Sequence, residues 1–353
     1  MKLLIVNPGS TSTKVAIFED TTPIMEKTIR HSAQELSPYA KVTDQYDMRK
    51  QIILDHVEES GVQLSQLDAV VGMGGLLKPI PGGTYKVNEA MLRDLRSGVQ
   101  GLHASNLGGL IAYEIAKPLG KPAFIVDPVV VDEFDEISRI SGHPLINRRS
   151  IFHALNQKAI ARQFCTDVGK GYFNVNLIVA HMGGGLSVGM HAKGRVIDAT
   201  NALDGEGPMS PERSGGVPVG DLVDLCYTGD YTRAEMRASL TGKGGMVGYF
   251  GTNNMIEIEE QAKTDPKVQL VIDAMIYQIS KEIAAMSTAV SGNVDAILLT
   301  GGLAHWNYLV NQIANRVKFI SEVHAYPGEH ELLALALGAL RVLRKEEEVQ
   351  IYE

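Results

Sequence analysis

The chain has 353 residues, 44% of them hydrophobic, which is enough for two domains with their own cores and leaves no stretch that reads as disordered. Its net charge of −8 argues against nucleic acid or an anionic membrane surface as a partner, so an anionic ligand would have to be held by a local cluster of donors. The two cysteines, Cys165 and Cys226, lie far apart without CxxC spacing, which makes neither a disulfide framework nor a cysteine metal site credible.

The amino terminus runs straight into an apolar strand candidate at 3–6, with no basic, apolar and small-residue leader, and a second candidate follows at 15–18. Between them lies NPGSTSTK, a hydroxyl-rich turn with a lysine at its exit. Alone it reads as well as a polar hairpin turn. Helical periodicity covers 47–60, and further strands are expected at 69–71 and 123–126, the latter ending in Asp127. Strands at 177–180 and 188–191 flank Gly183, Gly184 and Gly185. A long helical stretch at 268–291 precedes a strand at 296–299, which ends in Thr300, Gly301 and Gly302. The last apolar run, 332–343, is too short to span a bilayer. Alternating strands and helices imply an α/β architecture, while the cysteine usage, the lack of a leader pattern and the shortness of the last apolar run lead to the expectation of a soluble, cytoplasmic protein.

The segment NLIVAHMGGGLSVGM repeats the opening pattern of apolar strand, polar end residue, small-residue turn and second strand. An offset of about half the chain implies two copies of one βββ unit, one per domain. Small residues at such turns let main-chain N–H groups converge on an anion, and Ser or Thr hydroxyls add donors, so phosphate is the natural guest. Neither turn matches a Walker loop or a complete G-x-G-x-x-G, because Val188 stands where the third glycine would be.

The ordered motifs NPGSTSTK, VDPVV, NRRSIFH, AHMGGGLS, ERSGGVPVGD, LLTGGLAH and HELLALALGAL resemble the acetokinase family of carboxylate kinases, within the wider sugar kinase, Hsp70 and actin superfamily. The segments GGLLKPIPGGTY and DGEGPMSPERSGGVP resemble its butyrate-phosphorylating branch. The resemblance runs from Lys2 to about Leu343. It implies a duplicated ribonuclease H-like (actin-like ATPase) fold with a central mixed β-sheet flanked by helices in each domain. The domains would be 1–146, with the terminal helix 331–353 packing back on it, and a nucleotide-binding domain at 147–330, with the active-site cleft between them. The implied reaction is reversible phosphoryl transfer from ATP to butyrate or a related short or branched fatty acid, giving butyryl phosphate and ADP, in a homodimer or higher homo-oligomer.

A carboxylate substrate is ionised at neutral pH and needs no general base, so alignment and charge neutralisation must supply the catalysis. The resemblance implies Arg213, His153, Asp127 and His181 as catalytic residues, with Asp127 orienting Arg213. It implies Asn7, Ser10, Ser12, Lys14, Gly183, Gly184, Gly185, Asn254, Gly301 and Gly302 as nucleotide ligands, and Asn7 and Glu331 as holders of the waters of Mg2+. Read singly, either histidine serves equally as a satisfied core residue, Asp127 as a turn residue and Glu331 as a helix-dipole partner. Met73 stands where the branch pattern carries an arginine, leaving Arg139, Arg148 and Lys78 as alternatives for the substrate carboxylate. Around Thr252 to Ile256 the chain lacks the family's acidic residue and arginine near adenosine.

Overall fold

The structure is a computed structural model that describes residues 1–353. Its strands in chain order are β1 (Lys2–Pro8), β2 (Ser12–Glu19), β3 (Thr22–Arg30), β4 (Ala69–Met73), β5 (Thr84–Lys86), β6 (Ala123–Val126), β7 (Asn176–Met182), β8 (Leu186–Ala192), β9 (Arg195–Ala199), β10 (Ala296–Gly301), β11 (Val323–Pro327) and β12 (Gln350–Ile351). The chain divides into two compact units, Met1–Asp132 with His330–Glu353, and Glu133–Glu329.

In the first unit a seven-stranded sheet runs β12-β5-β6-β4-β1-β2-β3. β1, β2 and β3 form an antiparallel meander, while β4 lies parallel to β1 and β6 parallel to β4. Leu4 and Val6 of β1 are fully buried with Ile53 and Val57 of the helix Tyr46–Glu59 and Leu107 and Ile111 of the helix Asn106–Ala116. Each such side chain contributes roughly 1.5–3 kcal/mol on leaving water. The strand β4 and the helix Asn106–Ala116 meet backbone to backbone, since a Cβ on Gly72 would stand 2.2 Å from the Gly108 carbonyl oxygen. The terminal helix Glu331–Leu343 packs on β1, β4 and β6, which sets Glu331 at the end of the sheet where β1 finishes.

The second unit carries a five-stranded sheet ordered β11-β10-β7-β8-β9. Its β7, β8 and β9 again form an antiparallel meander, with β10 parallel to β7 and β11 parallel to β10. The five strands from β3 to β6 in the first sheet have this same order and sense, so the repeat expected from the two turn motifs is a duplication of a whole sheet. β7 is buried on both faces: Ile178 and Ala180 join the core formed with Ile272, Ile276 and Ile279 of the helix Pro266–Ser287, while Leu177 and Val179 meet Ala161 and Phe164 of the helix Ala154–Asp167. That two-sided burial explains a continuous apolar run without alternation.

All seven strands expected from apolar runs are present, and the two helical stretches appear as Tyr46–Glu59 and Pro266–Ser287. The second helix stops short of 291 because a 3-10 turn at Thr288–Val290 follows and Ser291 turns left-handed at φ 53°. β3 escaped the apolar criterion because it is an edge strand with no buried residue. No helix is long and apolar enough to cross a membrane.

Candidate active site

Both small-residue turns are hairpin tips. At the first, Asn7 pairs with Lys14 and Pro8 with Thr13, and the Gly9 N–H donates to the Ser12 carbonyl at 2.8 Å. Asn7 Nδ2 donates to Glu331 Oε2 at 2.8 Å, and Lys14 Nζ lies 3.0 Å from the same oxygen. Ser10 Oγ stands 3.3 Å from His103 Nε2. The His103 Nδ1 accepts from the Ser105 N–H at 3.2 Å, so Nε2 is the ring nitrogen that donates to Ser10.

Arg49 holds this tip from beneath. It is fully buried on the helix Tyr46–Glu59, and its guanidinium donates to the Ser12 carbonyl at 2.8 Å, to Thr13 Oγ1 at 2.9 Å, to the Ser10 carbonyl at 3.3 Å and to Gln45 Oε1 at 2.8 and 3.0 Å. Every one of these partners is neutral, so the charge stays under the turn. Burial first, and Arg49's charge second, lower the pKa of His31, which is 2.8 Å from Thr13 Oγ1.

Asp127 directly follows β6, at the carboxyl edge where α/β sheets place ligands. It has left-handed φ, 37°, an uncommon conformation for a residue with a side chain. Its Oδ1 accepts from the Gly83 N–H at 2.7 Å and its own N–H donates to the Gly83 carbonyl at 3.0 Å, a two-way clamp on the preceding loop.

In the second unit, the tip of β7 and β8 closes with the Gly183 N–H on the Gly185 carbonyl at 2.9 Å. The Gly184 carbonyl accepts from Ser210 Oγ at 2.7 Å and from the Glu212 N–H at 3.2 Å, which fastens the loop carrying Arg213 to the turn. The Arg213 guanidinium lies on Gly185, and its Nε is buried without a hydrogen-bond partner. His153 and His181 stack beside it, ring centroids 3.9 Å apart and 13° from parallel. Although His153 is only half-buried as a residue, desolvation of its ring, followed by the neighbouring His181 and Arg213, holds it well below the ordinary histidine value. Burial brings His181 down to about 4. Both rings are therefore neutral at pH 7.

Gly301 joins the base of this turn. Its φ is 87° and a Cβ there would stand 2.4 Å from the Met182 carbonyl oxygen, so only glycine fits; Gly302 beside it is exposed with open space around it. Asn254 is exposed; its Oδ1 accepts from the Ile256 N–H at 3.2 Å and caps the helix Met255–Ala262, while Nδ2 donates to Glu257 at 2.7 Å. Its neighbour Asn253 donates to Glu212 Oε1 at 2.8 Å.

The alternatives for a substrate carboxylate already hold partners. Arg148 donates to Asp198 at 2.8 Å, Glu206 at 3.2 Å and two main-chain carbonyls; Arg139 pairs with Glu136 at 3.3 Å; Lys78 pairs with Asp94 at 3.2 Å. Thus the structure gathers Asn7, Lys14 and Glu331 in one unit and His153, His181, Arg213 and the three glycines in the other. It adds Arg49, His103, Asn156, Gln157, Ser187 and Ser210, none of which sequence reasoning singled out.

Two copies of a meander-plus-parallel sheet, each with a small-residue hairpin tip, define the duplicated ribonuclease H-like fold of the actin-like ATPases. Two solved structures share it: an acetate kinase from Porphyromonas gingivalis (TM-score 0.80, 19% identity, 97% of this chain and 99% of that one) and a propionate kinase from Francisella tularensis (TM-score 0.73, 18% identity, 96% and 98%). The acetokinase family profile matches residues 141–322. Butyrate kinase 1 of Clostridium acetobutylicum is 58% identical over 353 residues, covering 100% of this chain and 99% of its own. The chain belongs to the acetokinase family.

Proposed function

We propose that this protein transfers the γ-phosphoryl group of ATP to the carboxylate of butyrate or a related short-chain fatty acid, reversibly, giving the acyl phosphate and ADP. The observation that carries the reading is the Arg213 guanidinium laid on the Gly185 turn beside two neutral histidines. Such a site offers donors to a transferring phosphoryl group, and an ionised carboxylate nucleophile requires no proton to be removed. The planar fork of Arg213 matches two phosphoryl oxygens at once. In the first unit Asp127 would act as a catalytic acid, and in the second Gly183, Gly184, Gly185, Gly301 and Gly302 would let the nucleotide approach main chain.

In the first unit Ser10, Ser12 and Lys14 would donate to ATP phosphates, with Arg49 adding positive charge beneath the tip. The residues also fit a magnesium ion carried on the nucleotide. No group of three His, Cys, Asp or Glu side chains forms a protein cage, whereas Asn7 turns Nδ2 and Glu331 turns Oε2 toward each other, leaving Asn7 Oδ1 and Glu331 Oε1 as hard oxygens for the ion's waters. When bound with ATP, Mg2+ would neutralise charge on the β and γ phosphates. We further propose that the two compact units are the two domains of the fold, that the protein works in the cytoplasm and that it forms a homo-oligomer.

The test is acyl hydroxamate formation from ATP, Mg2+ and a panel of acetate, propionate, butyrate, isobutyrate and hexanoate, with xylose and glycerol as controls for ADP release. A maximum at butyrate or isobutyrate supports the reading. ATP turnover indifferent to every carboxylate overturns it.

A further inference from the structure

Two consecutive amides on the helix Ala154–Asp167, Asn156 and Gln157, are buried, at 4% and 0% exposure, and each reaches a different part of the site. Their partners fix which ring nitrogens carry protons, because main-chain carbonyls only accept. Asn156 Nδ2 donates to the Glu329 carbonyl at 2.8 Å, so its Oδ1 is the atom 2.7 Å from His181 Nδ1. An amide oxygen also only accepts; His181 Nδ1 therefore carries the proton, and in the neutral ring Nε2 has the lone pair.

Gln157 Nε2 donates to the Ser187 carbonyl at 3.1 Å and to Ser187 Oγ at 2.9 Å. Its Oε1 then accepts from His191 Nε2 at 3.1 Å, which leaves His191 Nδ1 to accept from the Tyr172 hydroxyl at 2.9 Å. Ser187 Oγ is fully buried and faces two donors, Gln157 Nε2 and, at 3.4 Å, the His153 N–H. Its single proton has one place to go, His153 Nδ1 at 2.8 Å. The opposite arrangement, with a proton on His153 Nδ1, would strand a buried hydroxyl proton. His153 consequently carries its proton on Nε2.

We propose that Gln157 and Ser187, together with Asn156, are positioning residues that lock the stacked His153 and His181 into opposite tautomers, so that His153 offers an N–H to a phosphoryl oxygen while His181 offers only a lone pair. None of these three side chains need touch substrate. Their work is to aim a donor dipole before the reaction, which avoids reorganisation when charge develops. His181, in this arrangement, supports the neighbouring ring by stacking instead of sharing its task. The kinetic part of this inference rests on the kinase reading, whereas the tautomers do not.

The experiment is long-range 1H–15N correlation NMR of the full-length chain carrying 15N-histidine, with His153→Gln and His181→Gln giving the assignments. Wild type should show His153 protonated at Nε2 and His181 at Nδ1. Ser187→Ala should turn His153 into a mixture of tautomers and lower kcat by about tenfold, the worth of one hydrogen bond in the transition state, with both KM values unchanged; Ser187→Thr should restore both. Gln157→Glu, whose carboxylate attracts the Ser187 proton, should release His153 Nδ1 in the same way and guards against misfolding of the alanine variant. A wild-type spectrum with His153 protonated at Nδ1 or His181 at Nε2 overturns the proposal, as does a Ser187→Ala or Gln157→Glu protein with unchanged tautomer and turnover. Correct tautomers in a chain that makes no acyl hydroxamate would instead sink the kinase reading alone.

Discussion

The guanidinium of Arg213 occupies the space that a side chain on Gly185 would need: a Cβ built there stands 2.0 Å from Arg213 Nη1. The contact is with the tip of a flexible side chain, and Gly185 itself has no left-handed φ to lose. Gly185→Ala should therefore leave the fold intact while pushing the guanidinium off its position. Misplacement of a transferring-group ligand by an ångström is worth about a hundredfold in turnover. The expected result is a melting temperature near wild type with kcat lowered to that extent, measured by hydroxamate formation. Equal losses in stability and activity would show that the turn needs its glycine for backbone reasons instead.

The tip of the first hairpin depends on a buried cation. Arg49→Met fills most of the volume but leaves the Ser10 and Ser12 carbonyls, Thr13 and Gln45 without their shared donor. Stranded acceptors of this kind destabilise by about 2–4 kcal/mol in total. Denaturant unfolding should report that loss, and KM for ATP should rise because Ser10 and Lys14 no longer sit on a rigid turn. Unchanged KM in a destabilised protein would reduce Arg49 to a folding role.

These residues show what the sequence makes legible. The hairpin tips can be read because glycine and hydroxyl residues interrupt apolar runs, and the strands because β1 and β7 are buried on both faces. Arg49 cannot be read, since an arginine inside a helical pattern looks like a solvated face; only the packing of that helix under the tip turns it inward. Asn156 and Gln157 look equally ordinary, and their significance arises from carbonyls contributed by Glu329 and Ser187, far away in the chain. Asn254, expected at the nucleotide, also caps a helix, a role that its residue type equally suits, so residue type by itself does not separate the two.

Acid should destabilise the second unit through its histidines. The folded pKa of His181 is about 4 against an ordinary 6.5, so the unfolded chain binds a proton that the folded one refuses. Its contribution to stability is complete above about pH 6.5 and declines as pH falls from there toward 4, by roughly 3 kcal/mol over that window. His153 and His191, both held well below the ordinary value, add slope of the same sign. Denaturant midpoints between pH 7.5 and 4.5 should fall steadily in wild type, and His181→Asn should be flatter. A wild-type midpoint that holds constant across the window would mean these rings take up protons without loss of packing.

Glu331 has two candidate tasks that one titration separates. Its Oε2 accepts from both Asn7 and Lys14, while Oε1 takes neither bond, so the carboxylate can serve as counter-charge to the lysine or as a partner to the waters of Mg2+. Glu331→Gln keeps the size and the amide oxygen but removes the charge. If the carboxylate orients the ion's water shell, the Mg2+ concentration for half-maximal rate should rise by about 10–100-fold, the range typical of outer-shell partners. At saturating Mg2+ the KM for ATP should then be no worse than wild type, because Lys14 has lost a competitor for the phosphates. A counter-charge role alone predicts the reverse pattern, an unmoved Mg2+ curve with altered KM for ATP.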